Sequence, residues 1–244
     1  QGRDALEIKW EDGTNAKLNT PDMMKTLTDM AQGKAGEVKT AKKEGDVATA
    51  KSAKTIEAIY QVPYLVHAPM EPMNCTAWVK ADSCELWVGS QSQTVDQMVA
   101  AQIAGVPQDK VKVNTMLLGG GFGRRLFGDQ MIPAALAARE LGRPVKLVFE
   151  REDDSRFDCA RSASVARFDA SFDDKGALTG IEHAAAAGWP TLAMAAGFLA
   201  DGIDGKGKFD PFAVSGADHW YTLPNHRVRA INNDLAQRTF LPGW

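Results

Sequence analysis

The chain has 244 residues, of which 44% are hydrophobic and 24% are charged, and its formal net charge is −3. A chain of this length buries enough surface to fold as one large or two smaller domains without disulfide or metal staples. The charge balance lacks the basic excess of a nucleic-acid-binding protein. The three cysteines include no Cys-x-x-Cys pair, so they build neither a zinc site nor an iron–sulfur centre by themselves.

The patterns in the first 54 residues predict both helices and strands. The predicted elements are a strand over residues 5–10, a helix over residues 20–31, a loop or edge strand over residues 33–45 and a short helix from Asp46 toward Ala53. From Ile56 the apolar residues alternate with polar ones, which predicts a half-buried strand. We therefore place the main domain boundary near Lys54. The prolines that follow exclude a helix over residues 66–73.

Beyond the boundary, strands and helices alternate. They are a strand over residues 86–88, a helix over 94–104, a strand over 111–115, a helix over 130–141, a strand over 145–149, a hairpin of 166–172 with 178–186, and a last strand over 228–231. Residues 151–156 are predicted to form a salt-bridged surface loop, and residues 201–210 a mobile one. The uncharged residues 184–200 are interrupted by glycine and proline, so we expect no membrane span there.

The glycine-rich stretch of residues 119–123 connects a predicted strand to a predicted helix, where open α/β sheets bind ligands. Successive glycines let backbone amides approach an anion, and Arg124 and Arg125 add guanidinium donors for phosphate or carboxylate. The dinucleotide fingerprint fails because Arg124 or Leu126 stands where its last glycine belongs. Gly123 and Gly128 have the spacing of a P-loop, but Asp129 follows where the phosphate-binding lysine belongs. A tight turn without a ligand is the alternative.

Other candidate residues have weaker patterns. His67 and Glu71 are four apart, but a proline lies between them and a second histidine is missing, so a structural role is favoured over metal binding. The remaining histidines have no partner at ligand spacing. Gln91 follows a predicted strand, where its amide either meets a ligand or caps the turn, and residue type alone does not separate these roles.

An ordered set of motifs resembles the large, molybdopterin-binding subunit of the xanthine dehydrogenase/aldehyde oxidase family. The similarity is closest to the branch of isoquinoline 1-oxidoreductase beta subunits and membrane-bound aldehyde dehydrogenases. The matching segments are YQVPYLVHAPMEPMN at residues 60–74, WVGSQ at 87–91, GGGFGRRL at 119–126, PVKL at 144–147 and REDD at 151–154.

The resemblance implies a fold class and a cofactor site. The fold would be α+β: the remnant of an α/β hammerhead domain over residues 1–54, then a first molybdopterin-binding domain over residues 55–244, truncated at its C-terminal side, with mixed sheets and flanking helices. The cofactor would be molybdopterin cytosine dinucleotide with molybdenum. The residues expected to bind it are Gln91, Gly120, Gly121, Phe122, Gly123 and Arg124.

The resemblance also implies a reaction. The full subunit would hydroxylate an aldehyde or N-heteroaromatic carbon with oxygen from water. It would pass electrons to an iron–sulfur small subunit, with a cytochrome as a further candidate acceptor. Leu126 lies where purine-oxidising relatives carry a glutamate, which favours an aldehyde or heterocycle in the substrate pocket. The family's catalytic glutamate has no counterpart here, so we expect a middle fragment that is inactive alone.

The branch is typically exported, which implies a periplasmic or membrane-associated location. Two other functions stay open on sequence grounds. One is a self-contained anion- or nucleotide-binding module that uses Gly119–Arg125. The other is a non-catalytic assembly domain that uses residues 184–200 as a partner surface.

Overall fold

The structure, a computed structural model, describes residue 2, residues 5–126 and residues 128–234. The chain consists of two compact units. The first unit combines the described residues up to Pro63 with those from Ala163 onward, and the second unit is Tyr64–Ser162. The helices are α1 (Thr20–Ala31), α2 (Gln93–Ala104), α3 (Met131–Leu141), α4 (Arg151–Arg156) and α5 (Pro190–Met194). The strands are β1 (Val38–Glu44), β2 (Lys54–Val62), β3 (Asn74–Val79), β4 (Cys84–Val88), β5 (Val111–Thr115), β6 (Val145–Val148), β7 (Ser164–Phe172), β8 (Leu178–Ala187), β9 (Ala200–Asp201), β10 (Lys208–Phe209) and β11 (His226–Asn232).

The first unit is built on a five-stranded sheet with the strand order β1-β11-β8-β7-β2. The β8–β11 pair is parallel, and the other three pairs are antiparallel. Helix α1 packs against β7 and β8 with Met23, Leu27, Met30 and Ala31, whose spacing places them on one helical face. A separate apolar cluster in this unit joins the sheet residues Ala185, Val228 and Ala230 to Trp189, Phe209, Val214 and Ala217.

The second unit is built on a four-stranded sheet with the order β5-β4-β3-β6, in which only β4 and β5 run parallel. Its core consists of small and aliphatic side chains from the sheet and from α2 and α3, including Leu86, Val88, Ala100 and Ala134. The alanines let both helices lie close to the sheet. Helices α2 and α3 each end at a left-handed glycine, Gly105 and Gly142.

Most predicted elements are confirmed. Helix α1 has the predicted bounds, and Asn19 caps its N-terminus by accepting a hydrogen bond from the Asp22 amide. The edge strand β1, the hairpin of β7 and β8, and the alternation from β4 to β6 are also present. The fold class is confirmed as α+β with mixed sheets and flanking helices.

Three predicted elements are wrong. Residues 5–10 form no strand. Their backbone pairs with no described strand, and their apolar side chains, such as that of Trp10, are exposed. Asp46 begins a turn instead of a helix, since its carboxylate accepts from the Ala48 amide two residues later. Residues 151–156 form helix α4 rather than a surface loop, and Asp154 in it is buried.

The predicted boundary near Lys54 falls at the start of β2. That strand pairs with β7, so the first unit continues across this position to Pro63. The assignment of residues 1–54 to a hammerhead-type portion stays a prediction. Residues 201–210, expected to be a mobile loop, carry the short β9–β10 pair.

Within the described residues, no helix is long and apolar enough to cross a membrane. The uncharged residues 184–200 are divided between the end of β8, helix α5 and a short 3-10 turn. All three cysteines are free and buried. Burial raises the pKa of Cys75 and of Cys159 to about 12, so both thiols are protonated at neutral pH.

Candidate functional site

The glycine-rich stretch lies in the second unit, after β5 and before a 3-10 turn over Arg124–Leu126. Three of its residues have left-handed backbones, with φ angles of 100° at Gly120, 53° at Phe122 and 106° at Gly123. Phe122 is one of two non-glycine residues with positive φ in the described chain. Alternation of handedness in a short loop turns successive amides toward one side, which creates a concave site for an anion.

The backbone carbonyls of this loop are hydrogen-bonded within the protein, whereas several of its amides are not. The carbonyls of four successive residues accept from inside the unit: Gly119 from Glu71 N (3.2 Å), Gly120 from Arg125 Nε (2.8 Å), Gly121 from Arg124 N (2.8 Å) and Phe122 from Arg161 Nη2 (2.8 Å). In contrast, no described residue accepts a hydrogen bond from the amide of Gly120, Gly121 or Phe122. The loop is therefore anchored by its carbonyls and leaves three consecutive donors for a ligand.

Gln91 follows β4 and fixes the end of the loop. Its side-chain Oε1 accepts from the backbone amides of Gly123 (3.1 Å) and Arg125 (3.2 Å), and the backbone N–H of Gln91 donates to the Arg125 carbonyl (3.1 Å). Only an oxygen accepts from two N–H groups, so these contacts set the orientation of the side-chain amide. The Nε2 group has no partner among the described residues, and Gln91 is exposed. Both roles left open by the sequence are thus compatible: the oxygen caps the turn and the nitrogen remains a donor.

Close contacts explain two of the glycines. A Cβ atom on Gly121 would lie 2.4 Å from Gln91 Oε1, and one on Gly119 would lie 2.6 Å from Glu71 Cβ. Both distances are well inside van der Waals contact. Glycine at positions 119 and 121 therefore makes room for the close approach of Glu71 and Gln91, respectively.

Arg125 is fully buried and acts as an internal brace. Its Nη2 donates to the Glu71 carboxylate at 2.9 Å, and Glu71 also accepts from the Gly119 amide at 2.7 Å and from the Asn74 side chain at 2.7 Å. Partial burial alone would raise the pKa of Glu71. The hydrogen bonds from Gly119 and Asn74 and the charge of Arg125 outweigh burial, so the pKa of Glu71 is lowered.

Arg124 is also fully buried, and its guanidinium group is surrounded by acids. Nη1 lies 2.6 Å from Asp158 and 3.8 Å from Asp154, Nη2 lies 2.8 Å from Asp129, and the group further donates to the carbonyls of Asp154 and Phe157. The interpretation of both arginine side chains as donors for an external anion is therefore wrong, because internal acceptors already use those donors. Among the described residues, the amides of Gly120, Gly121 and Phe122 and the Nε2 group of Gln91 are donors without an internal acceptor.

The His67 ring extends this buried network. Its Nδ1 lies 2.8 Å from Asp158 Oδ1, and the backbone amide of His67 donates to the other carboxylate oxygen. Burial would raise the pKa of Asp158, but the hydrogen bonds from His67 and the charge of Arg124 together lower it. The structural role expected for His67 and Glu71 agrees with these contacts, and no cluster of metal-ligating side chains is found among the described residues.

The remaining predicted residue, Leu126, is half-buried at the end of the 3-10 turn, where its amide donates to the Gly123 carbonyl. Sequence reasoning missed Arg161 and Asp158, which hold the loop from the far end of the second unit. Neither lies in a recognisable pattern, since each meets the loop only through the fold.

The sequence profile of the molybdopterin cofactor-binding domain matches residues 30–198. Over 243 residues the chain is 42% identical to "Membrane-bound aldehyde dehydrogenase [pyrroloquinoline-quinone]" of Gluconacetobacter polyoxogenes, covering 99% of this chain and 31% of that protein. It is 39% identical over 129 residues to "Isoquinoline 1-oxidoreductase subunit beta" of Brevundimonas diminuta, covering 52% of this chain and 16% of that protein. The chain thus spans less than a third of the length of these relatives.

Solved structures show the same fold. Quinoline 2-oxidoreductase from Pseudomonas putida 86 superposes with a TM-score of 0.59 and 17% identity over 80% of this chain and 25% of that chain. The aldehyde oxidoreductase from Desulfovibrio desulfuricans superposes with a TM-score of 0.60 and 14% identity over 81% of this chain and 22% of that chain. Because the profile match covers more than half of the sequence, the chain belongs to the molybdopterin cofactor-binding domain family of the aldehyde dehydrogenases and xanthine dehydrogenases.

Proposed function

We propose that this chain is the cofactor-binding part of a molybdenum hydroxylase that oxidises an aldehyde or an N-heteroaromatic compound with oxygen derived from water. One observation carries the proposal: three successive amides, from Gly120 to Phe122, have no acceptor among the described residues. The Nε2 donor of Gln91 lies on the side chain whose oxygen is hydrogen-bonded to the same loop. A site with several fixed backbone donors suits the oxygen and sulfur ligands of a molybdopterin centre.

The molybdenum centre supplies the oxidising chemistry when it is bound. The residues of this chain would bind and orient that centre. We propose that the amides of Gly120, Gly121 and Phe122 donate to the cofactor, that Gln91 Nε2 donates to one of its oxygen ligands, and that Gly123 permits the backbone reversal. The role proposed for Arg124 is to hold Asp129 and Asp158, and hence the loop, from inside the protein.

The substrate class and the cofactor form are inferences from relatives. The two sequence relatives above are named for aldehyde and isoquinoline oxidation, and the apolar Leu126 replaces the acid of purine-oxidising relatives. The name of the aldehyde relative also contains pyrroloquinoline quinone, whereas the profile match and the donor-rich loop favour molybdopterin here. We propose the cytosine dinucleotide form.

The catalytic base and the second wall of the site are proposed to lie outside this sequence. The apolar side chains of Met70, Leu117 and Phe122, which are 89%, 98% and 60% exposed, lie on the segments around the loop. Large exposed apolar side chains in one region mark a surface that another protein segment covers. We also propose an iron–sulfur small subunit and a cytochrome as electron-transfer partners, and a periplasmic or membrane-associated location.

The test compares two substitutions in the full reading frame, produced with its iron–sulfur partner in a host that makes molybdopterin. Gln91→Glu keeps an oxygen at the Oε1 position to accept from the two loop amides, but replaces the outward Nε2 donor with a second carboxylate oxygen. Gln102→Glu makes the same change at an exposed position of α2 and serves as the control. We expect Gln91→Glu to fold normally and to lose at least about tenfold in bound molybdenum or in aldehyde oxidation, the value of one charged hydrogen bond.

Equal molybdenum content and turnover in the two variants would contradict the role proposed for Gln91. The isolated 244-residue chain tests the fragment proposal, because aldehyde turnover by that chain with added cofactor would show that no further segment is needed. Calorimetry with nucleotides covers the alternative: micromolar binding by the isolated chain would favour a self-contained module. Self-association through residues 184–200 without cofactor binding would favour an assembly domain.

A further inference from the structure

Three of the four histidines of the chain meet in the first unit, although they are widely separated in sequence. The strand register explains the meeting. His183 on β8 pairs with Phe168 on β7 and with Val228 on β11, two residues from His226, so these side chains share one face of the sheet. His219 reaches the same face from the segment before β11, and its ring stacks on that of His226 with centroids 4.5 Å apart.

These rings line a cavity of about 490 Å³. Phe168 stacks on His183 with centroids 4.1 Å apart, and Tyr221 is tilted against His219 at 5.2 Å. The cavity walls are thus largely aromatic, with Ile181 and Ala217 completing the apolar surface. Flat, apolar walls favour stacking with another planar ring.

The polar atoms of this cavity lack partners. His226 is 1% exposed, and neither of its ring nitrogens has a hydrogen-bond partner in the described chain. The same holds for His183 Nε2 and His219 Nδ1. Buried nitrogens without partners are destabilising and uncommon, so four of them around one cavity indicate a ligand with its own donor and acceptor.

A metal ion does not fit this arrangement. The planes of the His219 and His226 rings differ by 11°, so their nitrogens point in nearly parallel planes rather than at one common point. No described group of three donor side chains has the geometry to hold a metal. An anion is equally disfavoured, because no described lysine or arginine lines the cavity and burial lowers the pKa of His183 to about 4, which keeps that ring neutral.

We propose that this cavity binds an uncharged planar aromatic molecule that carries a hydrogen-bonding amide, carbonyl, hydroxyl or ring nitrogen. The ring stacks between the aromatic walls, and the polar group pairs with the imidazole nitrogens, chiefly those of His226. The site belongs to the first unit and uses none of the residues of the glycine-rich loop, so it is independent of the cofactor proposal.

The test uses two probes with the same amide, benzamide with a planar ring and cyclohexanecarboxamide with a puckered one. Each is titrated at pH 7.5 into the 244-residue chain, and the imidazole signals are followed by ¹H–¹⁵N NMR. We expect saturable shifts of the His183, His219 and His226 signals with benzamide, unchanged His67 signals, and at least about tenfold weaker binding of cyclohexanecarboxamide.

Two substitutions complete the test. Ser215→Trp, at an exposed lining position, should fill the cavity and abolish binding, whereas Lys51→Trp, at an exposed position elsewhere in the first unit, should not change it. His226→Phe keeps a ring but removes both nitrogens and should weaken binding about tenfold. The proposal is overturned if benzamide causes no saturable shifts, if both probes bind equally, if Ser215→Trp binds like Lys51→Trp, or if Zn²⁺ rather than benzamide shifts these signals.

Discussion

The contact between Gly121 and Gln91 gives the sharpest test of the loop geometry. In Gly121→Ala, the new methyl carbon would lie 2.4 Å from Gln91 Oε1 and 2.7 Å from Cδ. The φ angle of Gly121 is not in the left-handed region, so alanine itself adds no backbone strain. The Gln91 side chain is flexible and exposed, and we expect it to rotate away.

The cost follows from the two hydrogen bonds that Gln91 Oε1 then loses, those from the Gly123 and Arg125 amides. At roughly 1 kcal/mol for each bond, Gly121→Ala should lower the free energy of unfolding by about 2 kcal/mol in urea denaturation. In the full subunit, the displaced Nε2 donor should also reduce bound molybdenum. The control is Gly197→Ala, where a Cβ meets nothing within 4 Å; we expect a change within about 0.5 kcal/mol.

A double-mutant cycle separates this mechanism from general overcrowding. If the loss arises through Gln91, then Gly121→Ala should cost little in a Gln91→Ala background, with a coupling of about 2 kcal/mol. An undiminished cost in that background would refute the reasoning. A crystal structure of Gly121→Ala with both Oε1 hydrogen bonds intact would refute it as well.

Three further predictions concern the stability and reactivity of the buried groups. Arg124→Met leaves Asp158 buried without its cation and should lower the free energy of unfolding by about 3–5 kcal/mol, measured by urea denaturation; a loss under 1 kcal/mol would contradict the network. The pKa of His183 is lowered to about 4 in the folded protein, so the unfolded state binds a proton at a higher pH than the folded state does. Stability therefore falls as the pH drops from 6.5 toward 4. Allowing for partial exposure, the loss should be about 2 kcal/mol and should disappear in His183→Phe; parallel pH profiles of the two proteins would exclude it. Cys75 and Cys159, with pKa values of about 12, should react with a thiol reagent at pH 7.5 only in denaturant, and rapid labelling of the native chain would contradict their burial.

Local chemistry made much of the fold predictable. The Thr-Pro-Asp start of α1, the terminal glycines of α2 and α3, and the Asp-Asp-Lys-Gly turn between β7 and β8 act over a few residues, so they could be recognised without knowing the rest of the chain. The errors at residues 5–10 and at Asp46 arose where local pattern was sufficient for an element but no partner strand or packing surface stabilised it. A segment with the pattern of a strand is stable as a strand only when it pairs with another strand, and that strand can lie far away in the sequence.

The sequence by itself determined that residues 119–123 form a close-approach loop, and the ordered motifs indicated the family to which the chain belongs. Only the tertiary structure decided how the donors of that loop are used. The two arginines look alike in sequence, yet folding buries both guanidinium groups among Glu71 and the acids around Asp158, and leaves the outward donors to three amides and Gln91. Strand register also places His183 and His226 on one face of the sheet, and the segment before β11 brings His219 to them. The reason is the same in each case: hydrogen bonds form between groups that are close in space, and residues separated by tens of positions become neighbours only when the chain folds.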